Sequence, residues 1–183
     1  DLNFARKSEI RKREQRASLA FFGLPESRFE FLDLENDETD QVCDTPVNRE
    51  LIANFFRRES PDIIFLPHHN DTNSAHRAIY QMARQAIVDT GRPAALFMNR
   101  DPKTVDMRID LYMPFEEPSA EWKAELLRFH DTQQQRNLHT RGKGLDDRIL
   151  EINRSIARKL KINQKFAEAF EVEIIKPETE GIQ

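Results

Sequence analysis

The sequence predicts an α/β fold, a mostly parallel sheet with helices on both faces. Three observations carry this. Short apolar runs alternate with helical periodicities of roughly 10–17 residues, the pattern of βαβ units. Ile63-Ile64-Phe65-Leu66 is a continuous apolar run bounded by Pro61 and Pro67, as in a strand covered on both faces. The 183 residues, 38% of them apolar, suffice for one core.

The elements follow in order. Ile10, Glu14, Ala17 and Phe21 recur on one helical face, and Gly23-Leu24-Pro25 stops that helix. Phe29–Leu32 reads as a short strand. Glu30–Asp44 holds seven acidic residues and no basic one, the composition of a solvated loop. Thr45 is an N-cap with Pro46 at the first helical position, and Val47, Leu51, Ile52, Phe55 and Phe56 make that helix amphipathic. After the strand at Ile63–Leu66, Ala75, Ile79, Met82 and Ala86 mark a helix closed by Gly91 and Pro93. Ala94–Met98 is a strand, and Met107–Tyr112 another. Ser119 caps a helix through Trp122, Leu126 and Phe129. Leu145, Ile149, Ile152, Ile156 and Leu160 form the cleanest apolar stripe. Phe166–Phe170 reads as a turn and Val172–Ile175 as a last strand. A single domain is expected over residues 1–176, with a frayed tail at 177–183.

Composition excludes several classes. Lys+Arg 28 against Asp+Glu 32 leaves a net charge of −4, so no basic field exists to hold nucleic acid. No apolar run approaches the ~20 residues of a membrane span. Neither GxGxxG nor GxxxxGK[ST] occurs. The single cysteine, Cys43, excludes an internal disulfide and a cysteine-built zinc site, and points to a reducing, cytoplasmic compartment.

Chemistry is expected where strands end, because ligands of open α/β sheets bind beyond the carboxyl ends of the strands. The loop after Leu66 runs Pro67-His68-His69-Asn70-Asp71-Thr72-Asn73-Ser74-Ala75-His76 and holds three of the five histidines. Imidazole and carboxylate are what zinc or iron takes when cysteine is absent. His76 falls in the first turn of the next helix, on rigid backbone. Asp71 and Asn73 just before it can orient a ligand, accept a proton or cap the helix. The same residues also fit an ordinary helix start, with Asn73 or Ser74 as cap, Asp71 in an Asx-turn and solvated histidines. In the first helix, Glu14 on the apolar face needs a partner, and Arg11 lies three residues back.

These segments, in this order, resemble the PIG-L/LmbE-type N-acetylglucosaminyl deacetylase family. Arg11-Lys-Arg-Glu14-Gln-Arg-Ala17 through Phe22-Gly23 is similar to its R-x-x-E-x-x-A-x-x-x-x-x-G helix. Phe31-Leu32 resembles the end of a family strand that is followed by an Asp, here Asp37 after a short slip. Pro61-Asp62-Ile63-Ile64-Phe65 resembles its P-D-[hydrophobic] strand, and Asp71-Thr72-Asn73-Ser74-Ala75-His76-Arg77 its D-x-H-x-D-H motif. Trp122-Lys123, His130-Asp-Thr132-Gln133 and Phe166-Ala-Glu168-Ala-Phe170 resemble its K…H-x-S-Q and Y-A-E-x-F segments. The resemblance runs from about Arg11 to Val172 and rests on the ordered set.

The resemblance implies a Rossmann-like three-layer domain and a zinc hydrolase. Water attacks an acetamide carbonyl, a carboxylate takes its proton, the metal lowers that water's pKa, and acetate leaves an amino sugar. It implies His76 as metal ligand with Zn2+ as cofactor, Asp71 and Asn73 as catalytic residues, and Arg11, Asp37 and His69 against the substrate. The partner would be a small amino-sugar conjugate, with a homo-oligomer left open. Two departures stand out. The family's A-H-P-D-D-E segment, which lies upstream of the position of Arg11, does not occur, so the chain is expected to lack the first β-α unit. Asn73 and Ala75 stand where the family has His and Asp, which leaves the histidine's role as acid or oxyanion donor to Asn73 or moves it to His68 or His69. Two other readings are a metal-free pseudo-enzyme that binds a glycan or partner, and a metal phosphoesterase using His68, His69, Asp71 and His76.

Overall fold

Helix starts and stops follow local chemistry. The computed structural model describes residues 4–176, and the tail expected at 177–183 lies outside them. Helix α1, Phe4–Phe22, ends where Gly23 takes a φ of 86°, a conformation glycine adopts without steric cost. Helix α2, Pro46–Glu59, starts as expected: the Thr45 hydroxyl accepts the Asn48 N–H at 3.1 Å. Strand β1 is Ile63–Pro67, helix α3 Ser74–Asp89 and strand β2 Ala94–Asn99. Strand β3, Leu111–Phe115, is followed by helices α4, Glu117–Arg128, α5, Asp131–Arg141, and α6, Leu145–Leu160. Strand β4 is Phe166–Ile175.

The α/β class holds, but the sheet is mixed, with strand order β1-β2-β4-β3. A single helical crossover through α3 makes β1 and β2 parallel, from Ile63 opposite Ala95 to Pro67 opposite Asn99. Coming from α6, the chain meets β2 at its carboxyl end, Phe170 opposite Asn99, so β4 runs back antiparallel to Ala94 opposite Ile175.

The described residues form two compact units, 4–31 with Met113–Glu168 and Leu32–Tyr112 with 169–176. In the first, Ala120 and Ala124 of α4, Leu150 of α6 and Phe166 of β4 are buried, and Phe115 stacks on Phe166 at 5.3 Å. The Lys123 ammonium lies 3.0 Å from Glu168. In the second, Ile52 and Phe56 of α2 and Met82, Ala83, Ala86 and Ile87 of α3 close over Ile64, Leu66 and Leu96. Each such burial contributes on the order of 1.5–3 kcal/mol for the large side chains.

Several elements differ from expectation. Phe29–Leu32 is not a strand. Asp33 turns the chain at a φ of 50°, and the acidic run is tied down rather than free. Asn48 of α2, fully buried, accepts the Glu35 N–H at 2.7 Å and donates to the Glu35 and Cys43 carbonyls. Residues 107–110 do not join a strand: the Arg108 N–H goes to the Glu171 carboxylate, the Asp110 carboxylate takes the Val172 N–H, and the Asp110 N–H to the Phe170 carbonyl is a lone backbone bond. Ser119 lies inside α4, whose N-cap is Glu116. Phe166–Ile175 is one continuous strand. Helix α5 carries no apolar stripe to announce it. Its first turn is capped from α1, where Glu14 accepts the Thr132 N–H and hydroxyl, each at 2.8 Å. Glu14 therefore partners Thr132, not Arg11, and the buried Arg11 Nε has no hydrogen-bond partner among the described residues.

Candidate metal centre

Parallel pairing of β1 and β2 brings the loops after both strands to one end of the second unit. They are stitched together. The Thr72 N–H donates to the Lys103 carbonyl at 3.1 Å, Val105 N–H to the Asn70 carbonyl at 2.9 Å, and the Asn70 side chain to the Asp106 carbonyl at 3.2 Å.

The start of α3 uses the residues foreseen for it. Asp71 Oδ1 accepts the Asn73 N–H at 2.6 Å in an Asx-turn, and Asn73 Oδ1 caps the helix by accepting the Ala75 N–H at 3.2 Å. The same turn also builds a cluster. His76 Nδ1, in the first helical turn, lies 3.0 Å from Asp71 Oδ2 and 3.4 Å from Asp101 Oδ2. One ligand atom from each of the three lies within 4.8 Å of the others. Asp71 is buried, at 4% exposure. Burial pushes its carboxyl pKa up, but the Asn73 N–H, the His76 ring and Asp101 outweigh it and hold it below the ordinary range. Arg77 donates to the Asp71 carbonyl at 2.6 Å, which fixes the backbone beneath the carboxylate.

The other histidines of the loop are held differently. His68 is 2% exposed; its Nδ1 accepts the Asn70 N–H at 2.9 Å and its Nε2 lies 3.1 Å from Glu171 Oε2. That geometry fits the tautomer with the proton on Nε2. Burial raises the Glu171 pKa, but His68 and the Arg108 N–H outweigh it and keep it low. His69 is exposed as a residue, yet its ring stacks on His68 at 4.4 Å and lies 5.0 Å from Tyr80, and desolvation with the adjacent His68 lowers its pKa. Tyr80 donates to Glu173 at 2.7 Å, and burial with that carboxylate pushes its phenol up to about 12. His68 and His69 therefore do not converge on Asp71 and His76.

The remaining expected residues lie elsewhere. Asp37 sits on an exposed turn, where its Oδ1 accepts the Thr39 N–H, the Thr39 hydroxyl and the Gln41 N–H, and these bonds lower its pKa. Arg11 belongs to the first compact unit. Asp101 escaped the sequence reading. The signal was present: it is the carboxylate just beyond β2, at the same kind of strand end as the loop that did draw attention.

Residues 3–87 match the PIG-L family, described as GlcNAc-PI de-N-acetylase. No curated protein matches the chain. Among solved structures, the 4-carboxy-2-hydroxymuconate hydratase GalB from Pseudomonas putida superposes with a TM-score of 0.66 at 17% identity, over 100% of this chain and 78% of that one. The N,N'-diacetylchitobiose deacetylase from Pyrococcus horikoshii gives 0.64 at 14% identity, over 94% and 68%. A zinc-inhibited form of a teicoplanin deacetylase gives 0.60 at 16%, over 93% and 76%. At these identities the likeness is one of fold. The ordered motifs and the sequence match agree: over residues 3–87 this chain is similar to the PIG-L family.

Proposed function

We propose that this protein is a metal-dependent amide hydrolase that removes the acetyl group from an N-acetylated amino sugar or its conjugate. The observation that carries the reading is His76 in the PIG-L segment, on the first turn of α3, with two carboxylate oxygens at 3.0 and 3.4 Å. The donor set of imidazole and carboxylates fits zinc. Bound there, zinc supplies Lewis acidity and lowers the pKa of water.

The chain's own residues do the rest. Asp71, held below the ordinary carboxyl range, stays ionised at neutral pH and serves as an anion, as proton acceptor or ligand. Asn73 spends its Oδ1 on the helix cap and keeps its amide nitrogen to donate to a carbonyl oxygen as charge develops. His69 offers a ring face to the sugar. Asp37, on its exposed turn, and Arg11, in the first unit, are the further substrate-contact residues that the resemblance implies.

One observation favours a second reading, a metal-free binding module. Asn73 and Ala75 stand where the family carries His and Asp, and the Asp71 and Asn73 side chains both serve the turn. The fold itself does not choose, since it also houses a hydratase. Acetate release from N-acetylglucosamine conjugates by the zinc-supplemented protein is the test. The expected result is turnover that His76→Ala reduces by at least ~1,000-fold. Glycan binding without acetate release, with or without zinc, would select the binding module.

A further inference from the structure

We infer that the first unit docks on a second copy of this chain, through the exposed aromatic cluster of Phe22 and Trp122 where α1 meets α4. The inference is independent of the chemistry at His76.

The aromatic groups supply the anchor. Phe21 and Phe22 end α1, and Trp122 stands on α4. Trp122 stacks on Phe21 at 5.9 Å and meets Phe22 at 5.6 Å, and Phe21 meets Phe129 at 5.2 Å. Phe21 and Phe129 are half-buried, whereas Phe22 is 55% exposed and Trp122 42%. The Ser18 hydroxyl donates to the Leu126 carbonyl at 3.3 Å and ties the two helices together. Exposed aromatic rings held in place by their neighbours are the groups around which interfaces gather their binding energy.

Charge identifies the partner. Helix α1 carries six basic residues against two acidic ones. Arg6, Arg13 and Arg16 line a groove of about 460 Å3 with Glu9 and Ile10. Among the described residues Arg6 and Arg13 make no ion pair, and Arg16 makes one at 3.4 Å with the exposed Glu26, a kind of contact that contributes little. Helix α4 is the reverse. Its Lys123 pairs with Glu168 and its Arg128 with Asp146, so both cations are used within the unit. Glu121 and Glu125, exposed on the same helix as Trp122, have no cation beside them among the described residues. The aromatic rings therefore belong to one basic helix and one acidic helix. A two-fold axis through the rings lays α1 of each copy against α4 of the other, so Arg13 and Arg16 meet Glu121 and Glu125 twice. Such self-complementarity is what an isologous contact requires, while a lipid surface or a nucleic acid would meet the glutamates with like charge.

Sedimentation velocity on the full chain is the test. The wild type should be a dimer in the micromolar range, and Trp122→Ala should weaken the dimer at least ~30-fold, as loss of an interface anchor does. Charge reversal separates docking from folding. Arg13→Glu with Arg16→Glu, and Glu121→Arg with Glu125→Arg, should each give a monomer, because like charges then face each other, and an equimolar mixture of the two variants should form a heterodimer. A monomeric wild type, reversal variants that still dimerise, or a mixture that stays monomeric overturns the inference. So does a dimer that Phe65→Ser, in the sheet of the second unit, dissolves while the reversals leave it intact. A monomeric wild type that sediments with phosphatidylglycerol vesicles would assign the patch to a lipid surface instead. Should a reversal variant fail to fold, Trp122 decides, because it is the chain's single tryptophan. Its emission should move to longer wavelength as the dimer is diluted, and an emission independent of concentration overturns the inference.

Discussion

Tyr80 shows how one side chain couples burial to pH. Its phenol donates to Glu173, which Arg84 also holds at 2.8 Å, and its pKa is pushed up to about 12 by burial first and that carboxylate second. A raised folded pKa means stability that is fully present below the unfolded value of about 10 and lost as pH rises towards 12. Melting curves should therefore show the difference between wild type and Tyr80→Phe shrinking between pH 10 and 12. A difference that stays constant across that window would show that the bond does not titrate. Arg11 poses the opposite case. With no hydrogen-bond partner for its Nε, Arg11→Ala should leave the melting temperature nearly unchanged while raising KM or lowering kcat for the proposed amino-sugar substrate. A variant that melts early but turns over normally would make Arg11 a structural residue.

At the scale of elements, α5 depends on another helix for its start. Its own sequence, DTQQQRNLHTR, is polar throughout apart from Leu138 and buries no residue. Glu14 of α1 supplies the missing cap through Thr132, and the negative carboxylate also favours the helix N-terminus. Glu14→Ala should cost about 1–3 kcal/mol in urea denaturation, because it removes two bonds and leaves donors without an acceptor. Amide exchange should quicken in Thr132–Gln135 first. Equal protection of those amides in both proteins would mean that α5 stands without the cap.

For the molecule as a whole, one face of the sheet in the second unit is exposed towards the Ile63–Ile174 end, while Phe170 on the same face is 8% exposed. Ile63 and Phe65 of β1 are 56% and 65% exposed, and Ile174, in line with Ile63 and Ala95 across the sheet, is 58% exposed. An exposed apolar strip of this kind marks a surface that seeks cover. At high concentration the isolated chain is expected to self-associate, and Phe65→Ser should shift it towards monomer in light scattering. A wild type that stays monomeric throughout would remove that expectation. No helix among the described residues is long and apolar enough to cross a membrane.

What short-range pattern carries was readable, because its physics acts within a few residues. The apolar stripe of α6, the Thr45 cap with Pro46 behind it, the strand at Ile63–Leu66 and the Asp71–Asn73 turn each rest on neighbours in the chain. That Asp71 and His76 would stand together at the end of β1 was equally legible, since strand ends are where α/β sheets present side chains. Contacts between distant segments were not. Helix α5 needed Glu14, more than a hundred residues upstream; the acidic run needed Asn48; and β4 needed β2 beside it to become one antiparallel strand. Asp101 became a partner of His76 only because parallel pairing set two loops side by side. Sequence periodicity encodes which face of an element is apolar, but the free energy that joins two remote elements is spread over both, and neither segment alone displays it.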